Sequence, residues 1–175
     1  MPTLDRTAVV SPAWRDRAGF AGVDVLRQPP GTLTLDQRAD LRRIARRLKT
    51  SHDLAVAFAG RYAAFPGQLA GAELRELTAV RQLLARYGLS DPDGGREIGR
   101  FTDAAAQSRY EELLGRGSAG RGAALRLLAQ LAGETAGTVA SALARMTAPD
   151  VRHAYTQLHA AAVRQAQYLQ AWASR

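Results

Sequence analysis

From Thr34 onward, apolar residues recur at alternating steps of three and four, which is the spacing of one face of an α-helix. Thr34 and Gln37 form a capping box, so a first long helix is predicted over about 35–62. Its apolar stripe is Leu41, Ile44, Leu48, Ser51, Ala55, Phe58 and Tyr62. The other face carries Arg38, Arg42, Arg43, Arg46, Arg47 and Lys49. The pattern therefore predicts an amphipathic helix with one basic, solvent-facing side.

A second helix is predicted over about 68–87, because Gly88 favours the left-handed conformation that ends a helix. The inward stripe of this helix is Leu69, Glu73, Leu77, Val80, Leu84 and Tyr87. The carboxylate of Glu73 thus interrupts an otherwise apolar seam. The stretch 88–101 is rich in turn-forming residues and is predicted to be a loop, and a short helix over about 103–114 follows it.

Two further long helices complete the pattern. Ser118 is predicted to cap a third long helix that runs to about 145, and Thr147 to cap a last helix with Pro149 in its first turn. One side of the third helix is a ridge of small residues, namely Ala129, Gly133, Gly137, Ala140 and Ala144. Because glycine within a helix costs about 1 kcal/mol relative to alanine, this ridge predicts close helix packing. The stripe of the last helix again contains one polar residue and reads Val151, Tyr155, Leu158, Ala162, Gln165, Leu169 and Trp172.

Four long amphipathic helices without a credible strand predict an all-α fold, a four-helix bundle with a long crossover that contains the short extra helix. The bundle is predicted to span 34–175. Residues 1–33 hold several prolines and no regular period, which predicts a flexible or loosely docked N-terminal tail. Trp14, Phe20 and Val25 are too apolar for a purely solvated linker, and we expect them to contact the domain or a second subunit.

Composition excludes several kinds of chemistry. The chain has no cysteine, which rules out disulfides, thiolate metal sites and cysteine nucleophiles. Neither an unbroken apolar run of about twenty residues nor a secretory leader is visible, so we expect a cytoplasmic protein without a membrane partner.

The formal net charge of +8 is typical of proteins that bind phosphate backbones. Lys49 is the only lysine among 24 basic residues, however, and such an arginine-rich composition is also what a GC-rich genome encodes. We favour this second explanation. The alternative is nucleic-acid binding through an anion-binding surface on the first helix, formed by Arg42, Arg43, Arg46 and Arg47.

Three runs of sequence carry a family resemblance. They are Leu-Leu-Ala-Arg-Tyr-Gly-Leu-Ser-Asp-Pro over 83–92, Tyr110-Glu111-Glu112-Leu113 before Gly117-Ser118, and Pro149-Asp150-Val151-Arg152 with Tyr155 and Leu158. In this order and spacing, over about 34–172, the sequence resembles an uncharacterised ferritin-like domain family of bacteria and archaea. The resemblance implies a ferritin-like bundle, whose usual members carry a carboxylate-bridged di-iron site.

The resemblance also implies metal ligands on all four long helices, and most of those positions hold other residues here. They are Leu48 on the first helix, Ala132 and Gly133 on the third, and Gln165 on the last. On the second helix Glu73 is retained, and Glu76 stands where the family has a histidine. A di-iron centre needs carboxylates and histidines from several helices, so we predict a degenerate site and no cofactor. The alternative is iron or another divalent metal held by the residual candidates Glu73 and Glu76.

If no metal is held, we expect Glu73 and Gln165 to form a buried polar relic of the site. Their predicted partners are each other, or Tyr87, Thr135 or Tyr155. A buried carboxyl without a cation should have a raised pKa, because burial disfavours its charged form.

These observations favour a non-catalytic interaction or structural module, and no catalytic residue is predicted. Its partner would be a second copy, docked through the small-residue ridge or the apolar tail, or another protein. The alternatives are a metal-binding oxidoreductase or iron-handling protein with a rebuilt site, and arginine-mediated nucleic-acid binding.

Overall fold

The computed structural model describes residues 22–175, which form six α-helices and no β-strand. The helices are α1 (Gly22–Val25), α2 (Leu35–Arg61), α3 (Leu69–Arg86), α4 (Ala104–Gly117), α5 (Arg121–Leu143) and α6 (Pro149–Ala173). The prediction of an all-helical protein is confirmed for these residues. In this part of the chain, no helix is both long and apolar enough to cross a membrane.

Local capping explains where α2 begins and where α3 ends. The Gln37 amide donates to Thr34 Oγ1 at 3.2 Å, and the Thr34 amide donates to Gln37 Oε1 at 2.9 Å, so both halves of the capping box form. After α3, Gly88 has a φ of 64°, and the Leu89 amide donates to the Leu84 carbonyl at 2.8 Å. These bonds satisfy backbone groups that the helix ends would otherwise leave unpaired.

Two predicted caps lie elsewhere. α5 begins after Gly120, whereas Ser118 ends α4 and donates its hydroxyl proton to the Leu114 carbonyl at 2.7 Å. α4 therefore runs beyond its predicted end at 114 and contains Gly115 and Gly117. At Gly117 the absence of a Cβ allows the helix to pack closely on Phe58 of α2. Thr147 is not the cap of α6 either, since Ala148 occupies that position directly before Pro149.

The four long helices are arranged around a common core. α2 packs on α3 and α5, and α6 packs on the same two helices, while the backbones of the diagonal pairs, α2 with α6 and α3 with α5, lie farther apart. α4 lies across α2 and α5. The core therefore sits between α2, α3, α5 and α6, with α4 covering one side of it.

The apolar core is divided into two clusters. One includes Leu41, Ile44, Leu48, Leu77, Leu84, Val139, Tyr155 and Leu158, and the other includes Leu54, Phe58, Leu69, Leu113, Leu125, Leu128 and Leu169. Between the clusters, each of the four long helices contributes polar residues. We call this set the central polar layer, and its members are Ser51 on α2, Glu73 and Glu76 on α3, Thr135 on α5 and Gln165 on α6.

The small-residue ridge of α5 does not make the predicted close contacts at its two glycines. Gly133 and Gly137 are exposed, and a Cβ added to either would meet no atom of the described chain within 4 Å. The prediction of close packing is wrong at these positions within residues 22–175. Their helix is stabilised instead by its other face, where Leu128, Ala132 and Val139 are buried.

The last part of the predicted tail is attached to the domain. Val25 and Leu33 are buried in the first cluster, and Arg86 Nη1 donates to the Gln28 carbonyl at 2.9 Å. Arg86 also pairs with Asp150, a fully buried carboxylate at the start of α6. The predictions for Trp14, Phe20 and the rest of the tail up to residue 21 lie outside the described residues.

Candidate functional site in the central polar layer

Glu73 and Gln165 meet in the central polar layer. Gln165 Nε2 on α6 donates a hydrogen bond to Glu73 Oε1 on α3. Glu73 is only 4% exposed, so this amide replaces water as a partner of its carboxyl group. The structure thus places together the two residues that interrupt the apolar stripes of α3 and α6.

Glu76 lies one helical turn after Glu73 and is also buried. Its carboxyl group makes no hydrogen bond or ion pair within residues 22–175. Burial raises the pKa of Glu76 well above its ordinary value, and the negative charge of Glu73 adds to this effect. The positive charges of Arg75 and Arg164 oppose the shift but are outweighed. Burial likewise raises the pKa of Glu73 to about 7, although the Gln165 hydrogen bond and the charge of His52 oppose the shift. At pH 7 Glu73 is therefore about half protonated, and Glu76 retains its proton to a higher pH than an exposed glutamate does.

A pocket of about 260 Å³ opens beside this acid pair, between α3 and α6. Its walls include Leu69, Ala72, Glu76, Gln165, Tyr168 and Trp172. The surface is mainly apolar, and the polar groups lie where α3 and α6 face each other. Such a cleft can hold a small organic group or a partner side chain, with Glu76 as a hydrogen-bond donor in its neutral form.

The other predicted partners, Tyr87, Thr135 and Tyr155, make no hydrogen bond to Glu73 or Gln165. Tyr87 donates its hydroxyl proton to Asp150 Oδ1 at 2.6 Å, at the start of α6. Neither Thr135 nor Tyr155 makes a side-chain hydrogen bond within the described residues. Burial raises the pKa of Tyr155, with the negative charge of Asp40 adding to the effect.

The residues of the layer do not fit a pair of metal ions. Leu48 and Ala132 are buried and apolar at two of the positions where the family resemblance implies ligands. No cluster of three or more His, Cys, Asp or Glu side chains in residues 22–175 is suited to holding a metal. Among the described residues, the layer supplies two carboxyl groups, those of Glu73 and Glu76, as candidate ligands. This donor set offers far fewer oxygens and nitrogens than two cations require.

Most of the predicted anion-binding surface on α2 is engaged with carboxylates. The pairs are Arg43 with Asp40 at 2.5 Å, Arg46 with Asp93 at 2.9 Å and Arg47 with Glu134 at 3.1 Å. Arg42 is exposed and makes no ion pair within residues 22–175. The structure therefore brings these four arginines to one helix, where Arg43 pairs within α2 and only Arg46 and Arg47 pair with neighbouring elements.

Lys49, predicted on the solvent-facing side of α2, is instead 3% exposed. Its Nζ donates to the Asp53 carboxylate and, at 3.1 Å, to the Glu97 carbonyl, and it lies 4.6 Å from the centroid of the Phe101 ring. The loop between α3 and α4 covers this part of α2, which is why the position is buried. The solvent-facing prediction for Lys49 is wrong for this reason.

Asp53 is the centre of this buried network, which the sequence analysis missed. Besides Lys49, it accepts from the Gly99 amide at 2.9 Å, and its other oxygen contacts His52 Nδ1 at 2.9 Å. Burial raises the pKa of Asp53, but the hydrogen bonds from His52, Lys49 and Gly99 outweigh it and hold the pKa below the ordinary value. A signal was available, since the only lysine of the chain precedes an aspartate by four positions on one helix.

Two comparisons with known proteins bear on this chain. A family model described as an uncharacterized protein domain, DUF2202, matches residues 49–172. The crystal structure of a hypothetical protein from Methanococcus jannaschii is similar, with a TM-score of 0.75 and 18% sequence identity over 81% of each chain. At this identity the similarity concerns the fold alone. No curated protein matches the sequence.

Proposed function

The chain belongs to the DUF2202 family of uncharacterized domains, and we propose that it is a ferritin-like four-helix bundle that acts as a non-catalytic interaction module. The ring of α2, α3, α6 and α5 supports the bundle, because the backbone of each helix lies closer to its two neighbours than to the diagonal helix. In this proposal the protein is cytoplasmic, and its metal centre has degenerated.

One observation carries the proposal. Where the family resemblance implies a metal between the helices, the retained carboxylate, Glu73, is hydrogen-bonded to Gln165. Gln165 thus occupies an oxygen of Glu73 that a cation would need, and Leu48 and Ala132 offer no ligand at two of the other implied positions. The layer is therefore built to hold a neutral acid and an amide, and it connects helices rather than performing oxidative chemistry.

Titration calorimetry with Fe²⁺ under anaerobic conditions and with Mn²⁺ tests this proposal. We expect no saturable binding by the full chain, and the same result for Glu73→Gln. Glu111→Gln, on the exposed side of α4, is the matched control. Binding of two ions per chain that Glu73→Gln abolishes and Glu111→Gln preserves would overturn the proposal.

A rebuilt metal site is the first alternative. It is favoured by Glu76, whose buried carboxyl has no partner among residues 22–175 and faces the pocket between α3 and α6. A single divalent ion would have to displace the protons of both acids, so its binding would strengthen steeply with pH. In the same titration, one-to-one binding that rises between pH 6 and pH 8 and is lost in Glu76→Gln would support this alternative.

Nucleic-acid binding is the second alternative, and the exposed Arg42 and half-exposed Arg43 favour it. Phosphate contacts weaken steeply with salt, so binding of an oligonucleotide would fall between low and physiological salt. Replacing Arg42, Arg43, Arg46 and Arg47 with glutamine would abolish retention on heparin if this surface binds phosphates. We expect retention to change little, because Arg46 and Arg47 are only partly exposed and each is paired with a carboxylate of a neighbouring element.

A further inference from the structure

A second pocket, of about 170 Å³, borders the opposite side of the central polar layer, between α2, α4 and α5. Three guanidinium groups line it, from Arg46 and Arg47 on α2 and Arg109 on α4. Three hydroxyl groups also line it, from Thr50, Ser51 and Thr135. We call it the arginine pocket.

Several polar groups of the arginine pocket have no hydrogen-bond partner within the described residues. Ser51 and Thr135 are each 5% exposed, and neither hydroxyl is hydrogen-bonded to any residue of the range 22–175. Arg47 Nε is also buried and has no hydrogen-bond partner within the same range. Thr50 differs, since it donates to the Arg46 carbonyl at 2.9 Å. Buried polar groups almost always have a partner, and Arg47 Nε lacks one. The hydroxyl groups of Ser51 and Thr135 line the cavity and are free to bond to a group inside it, so the three donors together indicate a bound polar group.

The arginines of the pocket have N–H donors that their ion pairs do not use. Each makes an ion pair with one carboxylate. The pairs are Arg46 with Asp93, Arg47 with Glu134, and Arg109 with Glu112. A guanidinium group has five N–H donors, and these pairs use only some of them. The carboxylates therefore hold the arginines in place without exhausting their hydrogen-bonding capacity.

Glu134 is the only acidic residue among those that line the arginine pocket. Its burial raises the pKa, but hydrogen bonds from Gln130 and Arg47 and the charges of Arg47 and Arg109 outweigh this effect and lower it. Glu134 is thus ionised and already bonded on both oxygens, by Gln130 at 2.8 Å and Arg47 at 3.1 Å. Three guanidinium groups and one carboxylate line the pocket itself, whereas Asp93 and Glu112 pair with Arg46 and Arg109 from outside the lining.

From these observations we infer that the arginine pocket binds a small phosphate-bearing anion, either inorganic phosphate or a phosphomonoester. Guanidinium and hydroxyl donors together match the several acceptor oxygens of a phosphate group. The volume is below the roughly 300–1,000 Å³ of pockets for drug-sized molecules, so the ligand is small. This binding activity is separate from the proposed role of the Glu73–Gln165 pair and does not depend on it.

Calorimetry on the full chain in phosphate-free buffer tests the inference, with inorganic phosphate and glycerol 3-phosphate as the two probes. We expect one-to-one saturable binding of at least one probe. The probe that binds more tightly shows whether the pocket prefers a free phosphate ion or a phosphomonoester. Thr135→Val and Ser51→Ala should each weaken binding by about tenfold or more. Arg42→Gln, on the same helix but outside the pocket, should leave the dissociation constant within about twofold.

The melting temperature of each variant shows whether that variant is still folded. Thr135→Val replaces an unpartnered hydroxyl with a methyl group of similar shape, so its melting temperature without phosphate should not fall. Saturating phosphate should raise the melting temperature of the original chain and not that of Thr135→Val. Absence of saturable binding of both probes, an equal loss in Arg42→Gln, or full displacement of the probe by an oligonucleotide lacking terminal phosphates would overturn the inference.

Discussion

Gln165 Nε2 and Glu73 Oε1 join α6 to α3 by a hydrogen bond between the two apolar clusters of the core. This bond connects an amide to a carboxyl group whose pKa is raised to about 7 by burial. The arrangement is stable with a proton on the acid. It becomes costly when that proton is lost, because an ionised carboxylate would then be buried without a cation.

Glu73→Gln should therefore stabilise the protein in a pH-dependent way. The folded pKa of about 7 lies above the ordinary value of 4.5, so the stability from the neutral acid is complete below pH 4.5 and is lost as pH rises through 7. A shift of this size corresponds to about 3 kcal/mol. At pH 8 the variant should be more stable than the original chain by up to about that amount, and near pH 4.5 the two should be similar. Urea denaturation at several pH values measures this.

Glu111→Gln serves as the control for this pH dependence, because it removes an acid from the exposed side of α4. Its stability difference from the original chain should vary little between pH 4.5 and pH 8. A difference for Glu73→Gln that is the same at all pH values would contradict the raised pKa.

Lys49→Met should destabilise the protein strongly. The change leaves the Asp53 carboxylate buried with His52 and the Gly99 amide as its remaining partners. Removing one member of a buried ion pair typically costs about 3–5 kcal/mol. Arg42→Met, on the exposed side of the same helix, should change the free energy of unfolding by less than about 0.5 kcal/mol. Equal effects of the two substitutions in urea denaturation would show that Lys49 is not buried.

Gly117→Ala and Gly115→Ala should have opposite effects, although both lie near the end of α4. A Cβ at Gly117 would overlap the Phe58 ring, which is fully buried and cannot move aside. A Cβ at Gly115 meets nothing within 4 Å of the described chain. We expect Gly115→Ala to raise stability by about 0.5–1 kcal/mol and Gly117→Ala to lower it by about 1–3 kcal/mol. Thermal denaturation of both variants checks this, and a stabilised Gly117→Ala would contradict the packing of α4 on Phe58.

Gly133→Ala and Gly137→Ala should each stabilise α5 by about 0.5–1 kcal/mol, because alanine is the better helix former and nothing in the described chain opposes its Cβ. Light scattering on the same variants measures the oligomeric state. An unchanged mass with higher stability is the expected result. A fall in mass would show instead that the exposed ridge is a contact between subunits.

The helices were predictable because their signals are local. The Thr34 capping box and the Gly88 terminator each act within a few residues, and both form as expected. Burial at Lys49 and openness at Gly133 could not be read from periodicity, since both depend on what a distant segment covers. The loop between α3 and α4 covers Lys49, and no described element covers Gly133.

The central polar layer was partly predictable. Glu73 and Gln165 stood out as polar residues in apolar stripes, which placed both in the interior. The arginine pocket was not predicted, because Ser51 and Thr135 are ordinary in a helical stripe, and only the tertiary structure brings them beside Arg109 of α4.

The metal content of protein purified from iron-supplemented cells shows whether the layer holds iron. Elemental analysis should find well below one transition-metal ion per chain, because Gln165 is bonded to Glu73 and two of the implied ligand positions hold Leu48 and Ala132. Two iron ions per chain, lost together in Glu73→Gln, would contradict the account.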